Sequence, residues 1–185
     1  MKNKFLNSEI LLPLLDYNKI EGRKENLTKS IIFVVIALTV GWFMLYYSNS
    51  FIEEFDEFVL EYIAVEIGIV TLLLSFNIAC LTILITANGQ NVKRLKEYAT
   101  KMEIDNKTVS LYQILLIQFT YAIYNEIVLL MLLLIHKFIF ILIGSYSNII
   151  FFTINMVLLL NIVFVTFKNV KNLYLSFWKN DPNEK

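Results

Sequence analysis

Residues 64–87 read AVEIGIVTLLLSFNIACLTILITA, a stretch in which Glu66 is the single charged side chain. About 20 apolar helical residues are enough to cross the hydrocarbon core of a bilayer, so this stretch predicts a transmembrane helix. Of the 185 residues in the chain, 57% are hydrophobic and only 17% are charged, and the charges gather in short segments. This composition predicts an integral membrane protein rather than a soluble domain.

Three further apolar runs predict three more spans. The expected spans are residues 30–47, 64–87, 109–135 and 148–167. A turn-rich segment at 144–148 separates the last two, and residues 136–143 either extend the third helix or lie in the outer interface. The predicted fold is all-α, an integral membrane bundle of four transmembrane helices with a segment 1–29, a loop 88–107 and a tail 168–185 on its cytoplasmic side.

The orientation follows from the distribution of Lys and Arg, because short loops rich in these residues stay in the cytoplasm. Six of them precede the first span, five lie in the loop 88–107 and four lie in the tail, whereas the two remaining loops hold only Lys137. This bias predicts that both ends of the chain are cytoplasmic. The expected outer loop after the first span is instead acidic, with Glu53, Glu54, Asp56, Glu57 and Glu61.

Two segments outside the spans have helical periodicity. In 90–103 the apolar side chains recur at helical spacing, and the other faces are basic and carry Lys93, Arg94, Lys96 and Lys101. This amphipathic helix contacts lipid or a partner, or else is a solvated connector. A shorter version near the N-terminus begins at Ser8, is interrupted by Pro13, and contains Ile10, Leu11, Leu14, Leu15 and Tyr17.

Glu126 is the most informative single residue, because a charge near the middle of a span costs roughly 2.5–3.5 kcal/mol on insertion scales. No Lys or Arg lies within the predicted spans to pair with it. We expect it to be protonated, to face water or to meet polar groups of other helices, and the candidates for this network are Gln118, Tyr121, Asn125 and Asn77. The network either joins helices or forms an ion path or proton-sensitive switch.

The second span also carries a stripe of small side chains on one helical face. Its members, which we call the small stripe, are Gly68, Thr71, Ser75, Ala79, Thr82 and Thr86. Such a face lets helix backbones approach closely, and its hydroxyl groups could alternatively line a pore. Together with Glu126, it favours a homo-oligomer or a hydrated cavity over an inert anchor.

The sequence carries no recognisable catalytic chemistry. Its one histidine, His136, stands beside Lys137 outside any metal-binding spacing, and Cys80 is the only cysteine. We therefore expect no enzyme activity, no metal, no cofactor and no small-molecule substrate. Nucleic-acid binding is not expected either, because the formal net charge is zero and the basic residues are those that the topology rule requires.

The middle third of the chain, residues 66–119, resembles small multi-span proteins of bacterial anti-phage defence systems, the membrane subunit of the Kiwa type in particular. The stretches that carry the resemblance are Leu74–Ala79 (LSFNIA), Ile83–Thr86 (ILIT), Asn91–Lys96 (NVKRLK) and Ser110–Gln113 (SLYQ). The resemblance implies a sensor or effector of the bacterial inner membrane that oligomerises and works with a cytoplasmic protein partner. It brings no catalytic residues with it.

Three hypotheses for the function follow. The first is a defence-associated membrane subunit that oligomerises and engages a cytoplasmic partner through its inner face. The second is a small ion channel or transporter in which Glu126 and the small stripe meet the ion. The third is a passive anchor or an immunity-type protein, in which the same residues serve packing alone.

Overall fold

The structure is a computed structural model that describes the backbone of residues 12–48, 52–143 and 148–178. In these ranges the chain is mostly helical, with one small antiparallel sheet. The elements are α1 (Leu12–Glu21), α2 (Arg23–Ser48), α3 (Ile52–Thr86), α4 (Gln90–Glu97), β1 (Ala99–Ile104), β2 (Lys107–Ser110), α5 (Leu111–Ile143) and α6 (Asn148–Trp178). The turn-rich segment 144–147, as well as Ser8, Ile10 and Leu11 of the expected N-terminal helix, lies outside the described residues.

Three helices are long and apolar enough to cross a membrane, through the segments Glu57–Thr86, Leu111–Phe140 and Ile150–Tyr174. A shorter apolar segment, Leu27–Phe43, lies in α2. The expectation of a helical membrane protein is thus confirmed. The description of the fold as all-α needs a correction, because β1 and β2 form a hairpin between α4 and α5.

The long helices extend beyond the predicted spans. Helix α3 begins at Ile52, so most of the acidic segment expected to be a loop is the first part of a helix. Helix α5 continues to Ile143, which shows that residues 136–143 extend the third helix. Helix α6 begins at the predicted Asn148 and continues eleven residues past the predicted end of the fourth span, because residues 168 to 178 are also helical.

The amphipathic helix expected over 90–103 ends at Glu97, and the prediction is wrong beyond that residue. Tyr98 is extended, and β1 and β2 are joined by a two-residue loop in which Asp105 and Asn106 both have positive φ, 51° and 63°. Asp and Asn tolerate this conformation, which a tight hairpin turn requires. The hairpin also lets Val109 pack with Ile20 and Ile114, a contact that helical periodicity could not reveal.

The N-terminal helix is described from Leu12 onward, and Pro13 is the second residue of that range. The residues before Leu12, where the prediction began the helix, lie outside the described part of the chain. The helix ends before Gly22, whose φ of +79° is the left-handed conformation typical of the residue that follows a helix. Helix α2 starts directly afterwards at Arg23.

The chain divides into two compact units, which are described separately. The hairpin unit comprises residues 1–26, 76–123 and 164–185, and its apolar clusters involve α1, the hairpin and parts of the long helices. The span unit comprises residues 27–75 and 124–163. Its core is one cluster contributed by α3, α5 and α6, namely Val59, Ile63, Val70, Leu129, Leu133, Phe140 and Ile162.

Each of the three long apolar helices buries one face whose members follow steps of three and four residues. On α5, for example, the buried face runs through Leu115, Phe119, Ala122, Glu126, Leu129, Leu133, His136 and Phe140. An alternation of three and four is the spacing of helices that pack at a shallow left-handed angle, as most membrane bundles do. In α2, by contrast, Ala37 and Gly41 are the buried positions among those described, and large apolar residues such as Trp42 are exposed.

Candidate functional site

The buried faces of the long helices carry an unusual number of polar side chains. Those less than 2% exposed are Glu66, Asn77, Gln118, Glu126, His136, Asn155 and Asn169. In hydrocarbon each such group must find a partner, because water cannot supply one. These seven side chains therefore lie in the protein interior, and they are the first candidate for function.

In the span unit, Glu126 is completely buried on α5, one turn before Leu129 and Leu130. Its neighbour Asn125 is half-buried. Glu66 of α3 is 1% exposed, and Tyr62 lies one turn earlier on the same helix. The Tyr62 hydroxyl also lies 3.5 Å from Met156 Sδ. Glu66 and Glu126 are thus buried inside the protein, whereas Glu57 and Glu61, nearer the start of α3, are exposed.

His136 is also a member of the buried interior of the span unit, since it is 1% exposed. Its Nδ1 lies 3.1 Å from Asn155 Nδ2, and its ring stacks on Phe151 at 5.2 Å between centroids. If the amide donates to Nδ1, the proton of the neutral ring is on Nε2. The sequence places this histidine at the end of the predicted third span, but it does not show which way the helix is rotated.

In the hairpin unit, two hydrogen bonds join the long helices. Asn77 Nδ2 of α3 donates to Thr166 Oγ1 of α6 at 3.2 Å, and Asn172 Nδ2 of α6 donates to Gln118 Oε1 of α5 at 2.9 Å. Asn77 and Gln118 were expected in a polar network, and the structure gives each a partner on α6. Asn172 was missed because the predicted span ended at 167, and Thr166 was missed because hydropathy does not show how α6 is rotated. Thr166, Asn169 and Asn172 follow one another at steps of three.

Helix α1 covers polar side chains of α5 and α6. The ring of Tyr17 stacks on that of Tyr121 at 3.7 Å, with 8° between the planes. Glu21 forms an ion pair with Lys168, and the Glu21 side chain is fully buried whereas that of Lys168 is 29% exposed. Burial, followed by the negative charge of Glu21, raises the pKa of the Tyr17 hydroxyl, which therefore stays protonated.

A groove of about 470 Å³ lies beside the hairpin. Its apolar wall includes Ile104, Val109 and Ile117, and its polar rim includes Asp105 and Lys107. Asp105 also accepts a hydrogen bond at 2.9 Å from Lys19 of α1, and this bond is the first cause that raises the pKa of Lys19. Since Lys19 is exposed, this pair is a weak surface contact.

The small stripe lies on the outside of the described structure. All six members are exposed, and an added Cβ at Gly68 would meet no atom within 4 Å. At 100° per residue the stripe is centred roughly 180° around α3 from its buried face. The four hydroxyl groups of Thr71, Ser75, Thr82 and Thr86 each donate to the backbone carbonyl four residues earlier, at 2.8–2.9 Å.

The basic residues expected to contact lipid or a partner surround α4. Lys93, Lys96 and Lys101 are exposed and Arg94 is half-buried. The opposite face of α4 buries Val92 and Leu95, and Leu95 packs in the cluster with Leu84, Leu115 and Phe119. The Lys96 ammonium lies 4.9 Å from the centroid of the Tyr112 ring. This packing presents the basic face of α4 to the surroundings.

Comparison of the chain with protein-family models, with curated proteins and with solved structures finds no match in any of the three. Among the described residues, no three His, Cys, Asp or Glu side chains come together in a way that could hold a metal ion. Three of its helices are long and apolar enough to cross a membrane, so the fold belongs to the class of helical membrane proteins.

The ion pair between Glu21 and Lys168 gives a first prediction. Lys168→Met leaves a fully buried carboxylate without its cation, and we expect it to destabilise the protein by about 3 kcal/mol. Glu21→Gln leaves a partly exposed lysine and should cost less. The measurement is thermal unfolding of both variants, and of the double variant Glu21→Met/Lys168→Met, in one detergent. Equal losses for the two single variants would contradict the asymmetry in burial.

Proposed function

We propose that this chain is a non-enzymatic multi-pass membrane subunit that assembles with further copies of itself through the exposed face of α3. The observation that carries the proposal is that the small stripe lies opposite the buried face of α3. The side chains of this face are small, so its surface is almost flat. Its hydroxyl groups donate hydrogen bonds to backbone carbonyls of α3, so no polar group on this face needs solvent. In lipid the hydrophobic effect does not drive helices together. Van der Waals packing between closely approaching faces of small residues is therefore a main contribution to helix association.

The proposed topology has four spans, with both ends in the cytoplasm. In addition to the three long apolar helices, α2 forms a span. It is helical over Arg23–Ser48, and its residues 30–47 contain no charged side chain. At 1.5 Å per residue, those 18 residues cover roughly 27 Å, which is close to the hydrocarbon thickness. The Lys and Arg residues at the start of α2, on α4 and on the hairpin support a cytoplasmic position for these segments.

The proposed setting is the inner membrane of a bacterium, where the subunit works with a cytoplasmic protein partner in anti-phage defence. The resemblance of residues 66–119 to membrane subunits of such systems supports this setting. The exposed basic residues Lys93, Lys96 and Lys101 support the partner, because they offer a charged surface next to the membrane. A partner with an acidic surface fits this face best.

A second candidate function is the passage of ions or protons. The observation that favours it is Glu126, a carboxyl group with no exposed surface in the middle of a long apolar helix. Ionisable residues at such positions are typical of ion and proton pathways. A passive anchor or immunity-type protein, the third hypothesis, needs neither the carboxyl group nor the small stripe.

Self-association can be tested with a pair of neighbouring substitutions. Gly68→Trp puts a bulky ring on the small stripe, whereas Ile69→Trp puts the same ring about 100° away on another exposed part of α3. We expect Gly68→Trp to lower the mass in a mild detergent, measured by light scattering after gel filtration, and Ile69→Trp to leave it unchanged. A monomeric wild-type protein would contradict the proposal.

The topology can be tested with fused reporters in bacteria. A reporter after Glu54 should be active only outside the cytoplasm, and reporters after Lys101 and Lys179 only inside it. An internal reporter after Glu54 would show that α2 does not cross the membrane. An external signal from either of the other two would reverse the orientation.

The second candidate predicts a change of membrane potential that requires Glu126. If the protein conducts, its expression should depolarise cells stained with a voltage-sensitive dye, and Glu126→Gln should reduce the effect because it removes the ionisable group but keeps the shape. Glu97→Gln, on an exposed position of α4, is the matched control. Equal signals from wild type and Glu126→Gln would exclude the carboxyl group from conduction.

A further inference from the structure

Asn169 holds an exceptional position among the buried polar residues of the hairpin unit. Its side chain has no exposed surface, and neither Oδ1 nor Nδ2 has a hydrogen-bond partner among the described residues. A buried amide that is left in this way costs about 1–3 kcal/mol for each unsatisfied group. The fold therefore carries either a sizeable penalty at this position or a ligand for the amide.

The surroundings of Asn169 are polar on both sides along α6. Three residues earlier, Thr166 accepts a hydrogen bond from Asn77 of α3, and three residues later, Asn172 donates one to Gln118 of α5. Asn169 thus lies between two bonds that tie α6 to two different helices. Polar side chains of three helices thus flank Asn169 within roughly 9 Å along α6.

The chemistry of the amide selects the class of ligand. A cation would satisfy Oδ1 but would be repelled by the Nδ2 hydrogens, and an anion would do the reverse. A molecule that donates to Oδ1 and accepts from Nδ2 satisfies both, and water is the smallest that does so. Asn169 also lies five residues before the end of the apolar segment Ile150–Tyr174, which is roughly 7 Å along the helix. Water from the end of this segment therefore has only a short distance to cover.

We propose that Asn169 is the centre of a buried water site in the hairpin unit, flanked by the pairs Asn77–Thr166 and Gln118–Asn172. The site makes the interior hydrated at this level instead of dry. It requires only contacts within the hairpin unit, so it stands or fails independently of self-association. A hydrated level is also what an ion or proton path needs and a purely structural bundle does not.

The sign of a stability change tests the site. If Asn169 is bound to water, Asn169→Leu removes hydrogen bonds and expels the water, and we expect Tm in detergent to fall by roughly 2–4 °C. If the amide is instead dry and unsatisfied, the same substitution removes a penalty and Tm should rise. A higher or unchanged Tm would overturn the proposal.

A thiol-accessibility experiment gives the second measurement, in the full chain with Cys80→Ala as background. Asn169→Cys should react with a small water-soluble methanethiosulfonate at least roughly tenfold faster than Val165→Cys, because the reactive thiolate forms in water. Val165 is the matched control, one turn earlier on α6 and 1% exposed among apolar residues and Tyr17. Equal rates, or no reaction at either position, would overturn the proposal even if Tm falls.

Discussion

The structure depends on one constraint, which is that a polar group in hydrocarbon must find its partner inside the protein. The long helices satisfy their backbones by themselves. They bury Glu66, Asn77, Gln118, Glu126, His136 and Asn155, and the exposed hydroxyl groups of the small stripe donate to their own helix. Glu66, Glu126 and His136 would each be costly on a lipid-facing surface, and all three are 1% exposed or less. The large exposed side chains, such as Leu72, Ile83 and Phe138, are apolar and suited to lipid. This distribution is the inverse of that in a soluble bundle.

The same constraint separates two features that the sequence presents together on α3. The polar residues Glu66 and Asn77 belong to its buried face, whereas the small stripe belongs to its exposed face. The hydroxyl groups of the stripe are already bonded to α3 itself, so that they neither need water nor offer ligands to an ion. A surface of this kind fits the backbone of another helix better than it fits a pore, which is why we assign it to self-association and look for ion passage at Glu126 instead.

The sequence predicts the long helices well and their rotation poorly. Hydropathy and length locate apolar segments without knowledge of contacts, so α6 begins at the predicted Asn148. The same signals do not show what a side chain faces, so the placement of His136 beside Asn155 could not be foreseen. The segment after Glu97 was mistaken for helix because Tyr98, Ala99 and Met102 fit a helical period, whereas the packing of Val109 with Ile20 favours a hairpin. The Asp105-Asn106 turn is the local signal that could have revealed it.

The central claim is that copies of the chain meet through the small stripe in the membrane itself. Oxidative cross-linking of Ser75→Cys in native membranes, with Cys80→Ala as background, tests this most directly because it needs no detergent. Ile69→Cys, on another exposed part of α3, reports random collisions. The account predicts a disulfide-linked dimer for Ser75→Cys and little for Ile69→Cys. Equal cross-linking of the two variants, or none in either, would contradict it.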